Sequence, residues 1–524
     1  MENVLSIITF LPLIAAFFMA IIKGDDAEAQ GNAKWLALAA TGFTFVISLA
    51  LLFQVEIGLP GYQLVEERAW LFGLSYKLGI DGLSLVFVLL TTFLMPLVVV
   101  SCWRMTARVK DLMMALLVLQ SLLLGSFLAL DLVLFFVFAQ GALIPVFLIV
   151  SFWGAPGGAT AALKFLLVAL LGGALMLAAI VSIGQEVASA DLEVLAGHNF
   201  SAEPIMLLGI EVIGGRQTLL FLAFFLAFAI YLGLWPLHTW LPDALAEAPQ
   251  AGGLVIAALV TKIGGYGLLR IALPLFPQAE AFWAPIILWI AVAGVLWAGL
   301  AAFSATDLRR LLGYGTVALG GLVVIGVFSG GVQGIDGAVI LMLSHALSLA
   351  ALFIGLIALQ DRLEDGQASD TAHLGGLVVR MPALTALMVA FLLALIGLPG
   401  SGAFIGTFLV LLSAVQAQLW VAVLAGLTLI LSAGAALGYA RHALFGDMIR
   451  EGVKSLGDLN LRERAIFVPL LVASLGLGLM PSLALETVAP TIDETMAPRE
   501  DLRSAGETLR LEVPGAEGQG ASED

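Results

Sequence analysis

The groups in this chain that could do chemistry are few. They are titratable side chains set inside or between long apolar runs. Lys262 falls in the middle of the apolar run 251–273. His345, flanked by Ser344 and Ser348, falls in the middle of 334–360, and Lys164 lies near the start of 161–185. A Pro-punctuated segment, Trp235–Pro236–Leu237–His238 followed by Pro242, Asp243 and Glu247, interrupts the run 217–248. A charge at the bilayer centre costs about 2.5–3.5 kcal/mol on insertion, so a lysine there is a functional-site hypothesis by default. The chemistry open to such a set is proton transfer, with a buried lysine and an imidazole as carriers. Each group also has a plain structural reading. Lys262 can bond backbone at a helix break, His345 can be a satisfied core histidine, and Lys164 can snorkel to the interface. His238, Asp243 and Glu247 either line an entry path or form a cap and loop network around the prolines.

The elements that must position these groups are membrane helices. The chain has 524 residues, 61% hydrophobic and 12% charged, a composition of polytopic membrane proteins. A single cysteine, Cys102, excludes a Cys-ligated iron–sulfur cluster and an internal disulfide. Five histidines without a helical pair argue against haem or zinc, and no Gly-rich phosphate loop follows a strand. No metal site is expected. The first apolar run, Val4–Ile22, lacks a basic start and a small-residue cleavage site, so it is expected to be retained.

Apolar runs of spanning length recur at 3–22, 34–56, 81–103, 111–130, 132–153, 161–185, 217–248, 251–273, 283–303, 313–329, 334–360, 382–417, 419–444 and 463–482. They predict an all-α membrane protein of about fourteen helices. Two runs are broken, at Gly233–Pro236 and at Gly397–Leu398–Pro399–Gly400–Ser401–Gly402. Breaks at membrane depth occur where helices line a cavity or pack inside protein. The organisation reads as three N-terminal helices with a non-cytoplasmic loop in 1–110. A first five-helix repeat follows in 111–273 and a second in 283–444, then a loop and last helix in 445–482. The broken helix is fourth in each repeat, and an odd number of spans inverts the second copy. Residues 483–524, an acidic tail, are expected to be disordered.

One set of alternate loops carries Lys23, Lys34, Arg104, Arg108, Lys110, Arg309, Arg310, Arg362, Arg380, Arg441, Arg450, Lys454, Arg462 and Arg464. The opposite set carries only Arg68, Lys77, Arg216 and Arg270. The first set is therefore expected to be cytoplasmic, with both termini on the other face.

WPLHTWLPDALAEAP (235–249) resembles the signature of the antiporter-like membrane subunits of respiratory complex I, the NADH–quinone oxidoreductases. TKIGGYGLLR (261–270), LSHALSLAALF (343–353), GLPGSGAFIGTF (397–408), VEERAWLFGLSYKLGIDGLSLVFVLLTTFLMP (65–96) and ALIPVFLIVSFWG (142–154) support the resemblance. It covers roughly residues 1–480 and is strongest to the M-type branch, whose mitochondrial counterpart is subunit 4. The same family includes subunits of multisubunit cation/proton antiporters and membrane-bound hydrogenases.

The resemblance implies proton translocation along a polar axis at mid-membrane, coupled to electron transfer from NADH to quinone in other subunits. It implies no cofactor bound by this chain, a quinone site outside it, and other membrane and peripheral subunits and the lipid bilayer as partners. It implies no nucleic acid, and a multi-pass location in the bacterial inner (plasma) membrane. Lys262, His345 and Lys164 match axial positions, and Trp235, Pro236, His238, Pro242, Asp243, Gly397, Pro399 and Gly400 match the broken-helix motifs. Four positions depart from the pattern. Gln140 stands at the fifth-helix glutamate, Tyr231 at the seventh-helix lysine, Thr407 at the twelfth-helix glutamate and Leu319 at a tenth-helix histidine. Gln and Tyr can hydrogen-bond each other but cannot usefully exchange a proton near neutral pH. Three functions follow from the sequence: a proton-pumping M-type subunit, a structural paralogue that no longer pumps, or a subunit of an antiporter or hydrogenase complex.

Overall fold

The structure, a computed structural model, describes residues 3–511 apart from 22–23, 25, 71–73, 208–209, 213, 364–373, 448–452 and 454–455. Lys23, Arg450 and Lys454 lie outside the described residues. Twelve helices are long and apolar enough to cross a membrane. They are α1 (Val4–Ile21), α2 (Ala27–Leu51), α3 (Gly82–Ser101), α4 (Val109–Leu128), α5 (Leu132–Trp153), α6 (Gly158–Val187), α7 (Gly215–Glu247), α8 (Gln250–Leu275), α9 (Pro277–Phe303), α10 (Leu308–Phe328), α11 (Val332–Gln360) and α13 (Leu419–Leu444). The shorter pair Pro382–Leu395 and Gly402–Ala417 forms the broken α12, and Leu461–Leu479 forms α14. Each of the fourteen expected runs is thus helical, while among the described residues twelve helices, or thirteen with the bent pair at the end of α14, are long and apolar enough to span. The sequence reading contained no strands; β1 (Gln63–Ala69) and β2 (Ser75–Ile80) form an antiparallel hairpin between α2 and α3. A smaller hairpin joins β3 (Ile205–Leu207) and β4 (Ile210–Val212).

α8 and α11 form the buried centre, with every residue of their apolar windows enclosed by other helices. Glycine makes this possible. A Cβ on Gly264 would come within 2.5 Å of the Phe228 carbonyl of α7, and one on Gly320 within 2.7 Å of the Leu232 carbonyl. Small residues let helix backbones approach closely where hydrocarbon supplies no hydrophobic drive.

Both broken helices end their first half in the same way. In α7 the Leu234 N–H donates to the Ala229 carbonyl (2.8 Å) and the Gly233 N–H to Ile230 (3.1 Å), with Gly233 at φ 69°. In α12 the Leu398 N–H donates to the Leu393 carbonyl (2.9 Å) and the Gly397 N–H to Ala394 (3.2 Å), with Gly397 at φ 82°. This is the Schellman closure, which needs a left-handed residue and so selects glycine, and a proline three residues on in α7 (Pro236) and two on in α12 (Pro399) bars helix continuation. The carbonyls freed at each break are thereby partly satisfied inside the membrane.

The C-terminal segment corrects the expectation of a disordered tail. After α14 the chain bends by 65° into α15 (Ser482–Leu511). Val488, Ile492 and Met496, spaced by four, are buried, and α15 packs on α3 and α11. That stripe on an otherwise polar helix supplies the burial that the low apolar content concealed. Residues 512–524 lie outside the described part.

α15 helps to close a buried ionic cluster. Arg270 of α8 donates to Asp81, the N-cap of α3, at 2.5 Å, and to the Tyr62 and Tyr266 hydroxyls at 3.2 Å each. The Thr491 hydroxyl of α15 donates to the same carboxylate at 3.1 Å. On the same face Lys77 of β2 pairs with Asp191 (2.6 Å) and with Glu193. Burial acts to lower the Lys77 value, and the two carboxylates outweigh it, so its ammonium titrates above the ordinary lysine range.

Truncating one partner of the buried Arg270–Asp81 pair strands the other charge, at a cost of about 3–5 kcal/mol. Arg270→Ala and Asp81→Ala are each expected to lower the unfolding temperature in detergent sharply. The double variant should be less unstable than the sum of the two. Because the Lys77 value is raised on folding, its stabilisation is complete below the unfolded value of about 10.4 and is lost as pH rises past the folded one. Alkaline unfolding should therefore shift to lower pH in Lys77→Met.

Candidate functional site

At the level where α5 meets α7, the Gln140 Nε2 donates to the Tyr231 hydroxyl at 3.3 Å, and that hydroxyl donates to the Ala139 carbonyl at 2.8 Å. Tyr231 is buried and Gln140 partly so. The Gln140 Oε1 is enclosed without a hydrogen-bond partner. Gly173 of α6 leaves room for it, since a Cβ there would stand 2.3 Å from that oxygen. The two side chains thus meet as the sequence reading expected of a paired change.

Lys262 is 1% exposed. Its Nζ donates to the Ala257 carbonyl at 2.9 Å and to the Thr261 hydroxyl at 3.3 Å. Thr261 Oγ1 donates to the same carbonyl at 2.9 Å. α8 is wound as a π turn over Ile256–Val260 and again over Leu268–Ala272. A π turn disturbs the carbonyl ladder and occurs often at functional positions. No carboxylate is within ion-pair distance of Lys262 among the described residues. Of the two readings of this lysine, the geometry is the backbone-bonded one.

His345 of α11 lines a cavity of about 60 Å³ with Tyr314, Leu319, Thr407, Thr428 and Ser432. That is room for a few waters, since one needs about 10–15 Å³. Both ring nitrogens are enclosed without a hydrogen bond; the ring lies beside Gly315 without reaching bonding geometry. The Ser344 and Ser348 hydroxyls are likewise unpartnered. The structure therefore brings His345, Leu319 and Thr407 to one cavity.

Lys164 does not join this axis. Its Nζ donates to the Thr239 carbonyl and to Asp243, both at 2.8 Å, and it is 38% exposed. Arg310 reaches the other Asp243 oxygen at 3.6 Å. Glu247 accepts from the Gly157 N–H at 3.2 Å at the start of α6. These residues form the cap and loop network. His238 is buried against the Trp297 ring, 4.3 Å between centroids, with both nitrogens unpartnered. Trp235 packs on Gly294, Pro242 on Gly313, and the Gly400 carbonyl on Gly478, so both breaks, with Pro236 and Pro399 in them, are wedged against neighbouring helices.

Sequence reasoning missed Gln120 and Ser121. They are 0% and 1% exposed in α4, with unpartnered polar atoms. One polar pair in an apolar run carries no charge signal. It missed the role of Thr261 because a π turn has no marker in the sequence.

A family model described as NADH:quinone oxidoreductase/Mrp antiporter, TM matches residues 129–432. Subunit M of the NADH-quinone oxidoreductase of Rhodobacter capsulatus is 44% identical over 494 residues, 94% of this chain and 96% of that protein. The chain belongs to this family of antiporter-like membrane subunits. Its relatives include NADH-ubiquinone oxidoreductase chain 4 of Marchantia polymorpha, 35% identical over 93% of this chain and 96% of that one. A chain of respiratory complex I from Thermus thermophilus matches with a TM-score of 0.83 at 28% identity, over 95% of this chain and 99% of that one. A chain of the Mrp complex from Dietzia shares the fold, with a TM-score of 0.80 at 20% identity over 96% of this chain and 99% of that one.

Tyr231→Phe would leave the Ala139 carbonyl and the Gln140 amide without their partner. It is expected to cost about 1–3 kcal/mol in detergent unfolding. Gln140→Leu should cost less, because that amide makes one long bond and already has an unpaired oxygen.

Proposed function

We propose that this chain is the M-type membrane-arm subunit of an NADH–quinone oxidoreductase and that its own mid-membrane axis carries few or no protons. The parent complex moves protons as electrons pass from NADH to quinone in other subunits. This chain contributes the membrane helices, binds no redox cofactor and contacts neighbouring membrane and peripheral subunits. It is a multi-pass protein of the bacterial inner membrane. The Lys and Arg asymmetry supports a cytoplasmic face at Arg104, Arg309 and Arg362, and both termini on the opposite face. The similarity to M-type and chain 4 proteins along almost the whole chain supports the family role.

The observation that carries the second half of the proposal is the Gln140–Tyr231 pair. Proton relay needs groups that bind and release a proton near the working pH. Gln140, Thr407 and Leu319 have none to give, and a tyrosine has an ordinary value near 10. Lys262 is held by backbone and hydroxyl oxygens, so a change in its charge has no counter-charge to act on. The buried polar atoms of Gln120, Gln140, His345, Ser344 and Ser348 are of the kind that water satisfies, and wetting alone does not make a relay. The same observation favours a non-pumping structural paralogue over an antiporter or hydrogenase subunit, whose task also needs a working axis.

The test is the proton-to-electron ratio of the assembled complex in sealed vesicles. Lys262→Ala is expected to leave it unchanged. Gln140→Glu with Tyr231→Lys is expected to raise it more than either single change, because each alone buries an unpaired charge. A full ratio in the unaltered complex that falls with Lys262→Ala would overturn the neutral-axis reading.

A further inference from the structure

A groove of about 350 Å³ runs along the outside of the bundle between α2 and α14, with α3 and α11 as its floor. Its walls include Phe45, Leu89, Phe93, Leu347, Leu477 and Met480, and no charged side chain lines it. Phe45 and Phe93 meet at 5.8 Å across one wall. The lining segments lie in the C-terminal half of α2, the N-terminal half of α3, the middle of α11 and the end of α14. All of these belong to one leaflet, the non-cytoplasmic one in the orientation proposed above. Half of a hydrocarbon core is about 15 Å deep. A volume of 350 Å³ spread over that depth leaves a section of about 23 Å². That suits one extended hydrocarbon chain lying along the groove.

The end of the groove at that face is acidic. Glu486 stands one turn beyond the lining residue Leu483 on α15, and Glu56 follows the end of α2; both are exposed. Neither makes an ion pair among the described residues. Among the described side chains, the basic residues of this face are engaged: Arg68 with Asn3, Lys77 with Asp191 and Glu193, Arg216 with Glu186 and Arg270 with Asp81. Among the described side chains an anionic headgroup would find no free cation beside the groove, whereas an ammonium headgroup would find the carboxylates of Glu56 and Glu486.

We propose that this groove is a binding site for one acyl chain of a zwitterionic phospholipid whose ammonium headgroup, as in phosphatidylethanolamine, lies against Glu56 and Glu486. The chain fills the space behind Leu343 and Leu347 and keeps the back of α11, on either side of His345, dry. The site is independent of whether the axis carries protons, and the proposed orientation serves only to name the leaflet.

The assembled complex, delipidated in mild detergent, is incubated with phosphatidylethanolamine or with phosphatidylglycerol of the same chain length. Lipid retained per copy after gel filtration is counted by mass spectrometry. One retained phosphatidylethanolamine is expected, bound at least about fivefold better than phosphatidylglycerol, a difference near 1 kcal/mol. Gly476→Leu should abolish retention. A Cβ at Gly476 meets nothing within 4 Å, so this variant fills the groove without crowding the fold. Ala473→Leu fills it from a second position. Glu56→Gln with Glu486→Gln should abolish the preference between the two lipids. Equal retention of both lipids by the unaltered complex overturns the proposal, as does unchanged retention in the filled variants. A protein side chain or helix from a neighbouring subunit seated in the groove of the complex overturns it as well.

Discussion

A lysine enclosed among apolar helices must find oxygen atoms to bond, because water is excluded and an unpaired ammonium is too costly to keep. The central packing of this protein answers that constraint. The π turn before Lys262 presents the Ala257 carbonyl, and the Thr261 hydroxyl completes the set. Lys262 is thus satisfied by its own helix and needs no partner from another one. The tight approach of α7 and α10 around Gly264 and Gly320 can then proceed without a second buried charge.

The Gln140–Tyr231 pair follows the same logic. Losing one member of a buried ion pair leaves a charge with nothing to meet it, so the stable alternatives are both charges or neither. Gln140 and Tyr231 carry neither charge and meet through a hydrogen bond that continues to the Ala139 carbonyl. The shape of the fold rests on other features. The glycine-lined contacts, the two Schellman closures and the wedged breaks involve no titratable group. Architecture and proton chemistry are separable here.

The face opposite the basic loops is held by charges instead. Arg270 and Asp81 tie α8 to the start of α3, and α15 folds over them through Thr491. Here the ions are buried, their remaining valences are met by Tyr62, Tyr266 and Ser84, and the pair joins segments far apart in the chain.

Apolar runs of spanning length located each helix, with ends off by up to seven residues, because hydrocarbon thickness dictates length but not where a helix starts outside it. Gly233–Pro236 and Gly397–Pro399 marked both breaks, since only a left-handed residue followed by proline closes a helix in that way. That positions 140, 231, 319 and 407 carry no charge is plain in the sequence, and the structure shows Gln140 and Tyr231 in contact. The sequence by itself could not assign the partners. Whether Lys262 faced a side chain or its own backbone depended on a π turn, which arises from packing rather than from residue type. Lys164 and Asp243 left the axis for the interface because α6 and the second half of α7 meet there, 79 residues apart in the chain. α15 was mistaken for a disordered tail because its three buried apolar residues count for little in composition. Their spacing by four becomes a buried stripe only when α3 and α11 are in place to receive it.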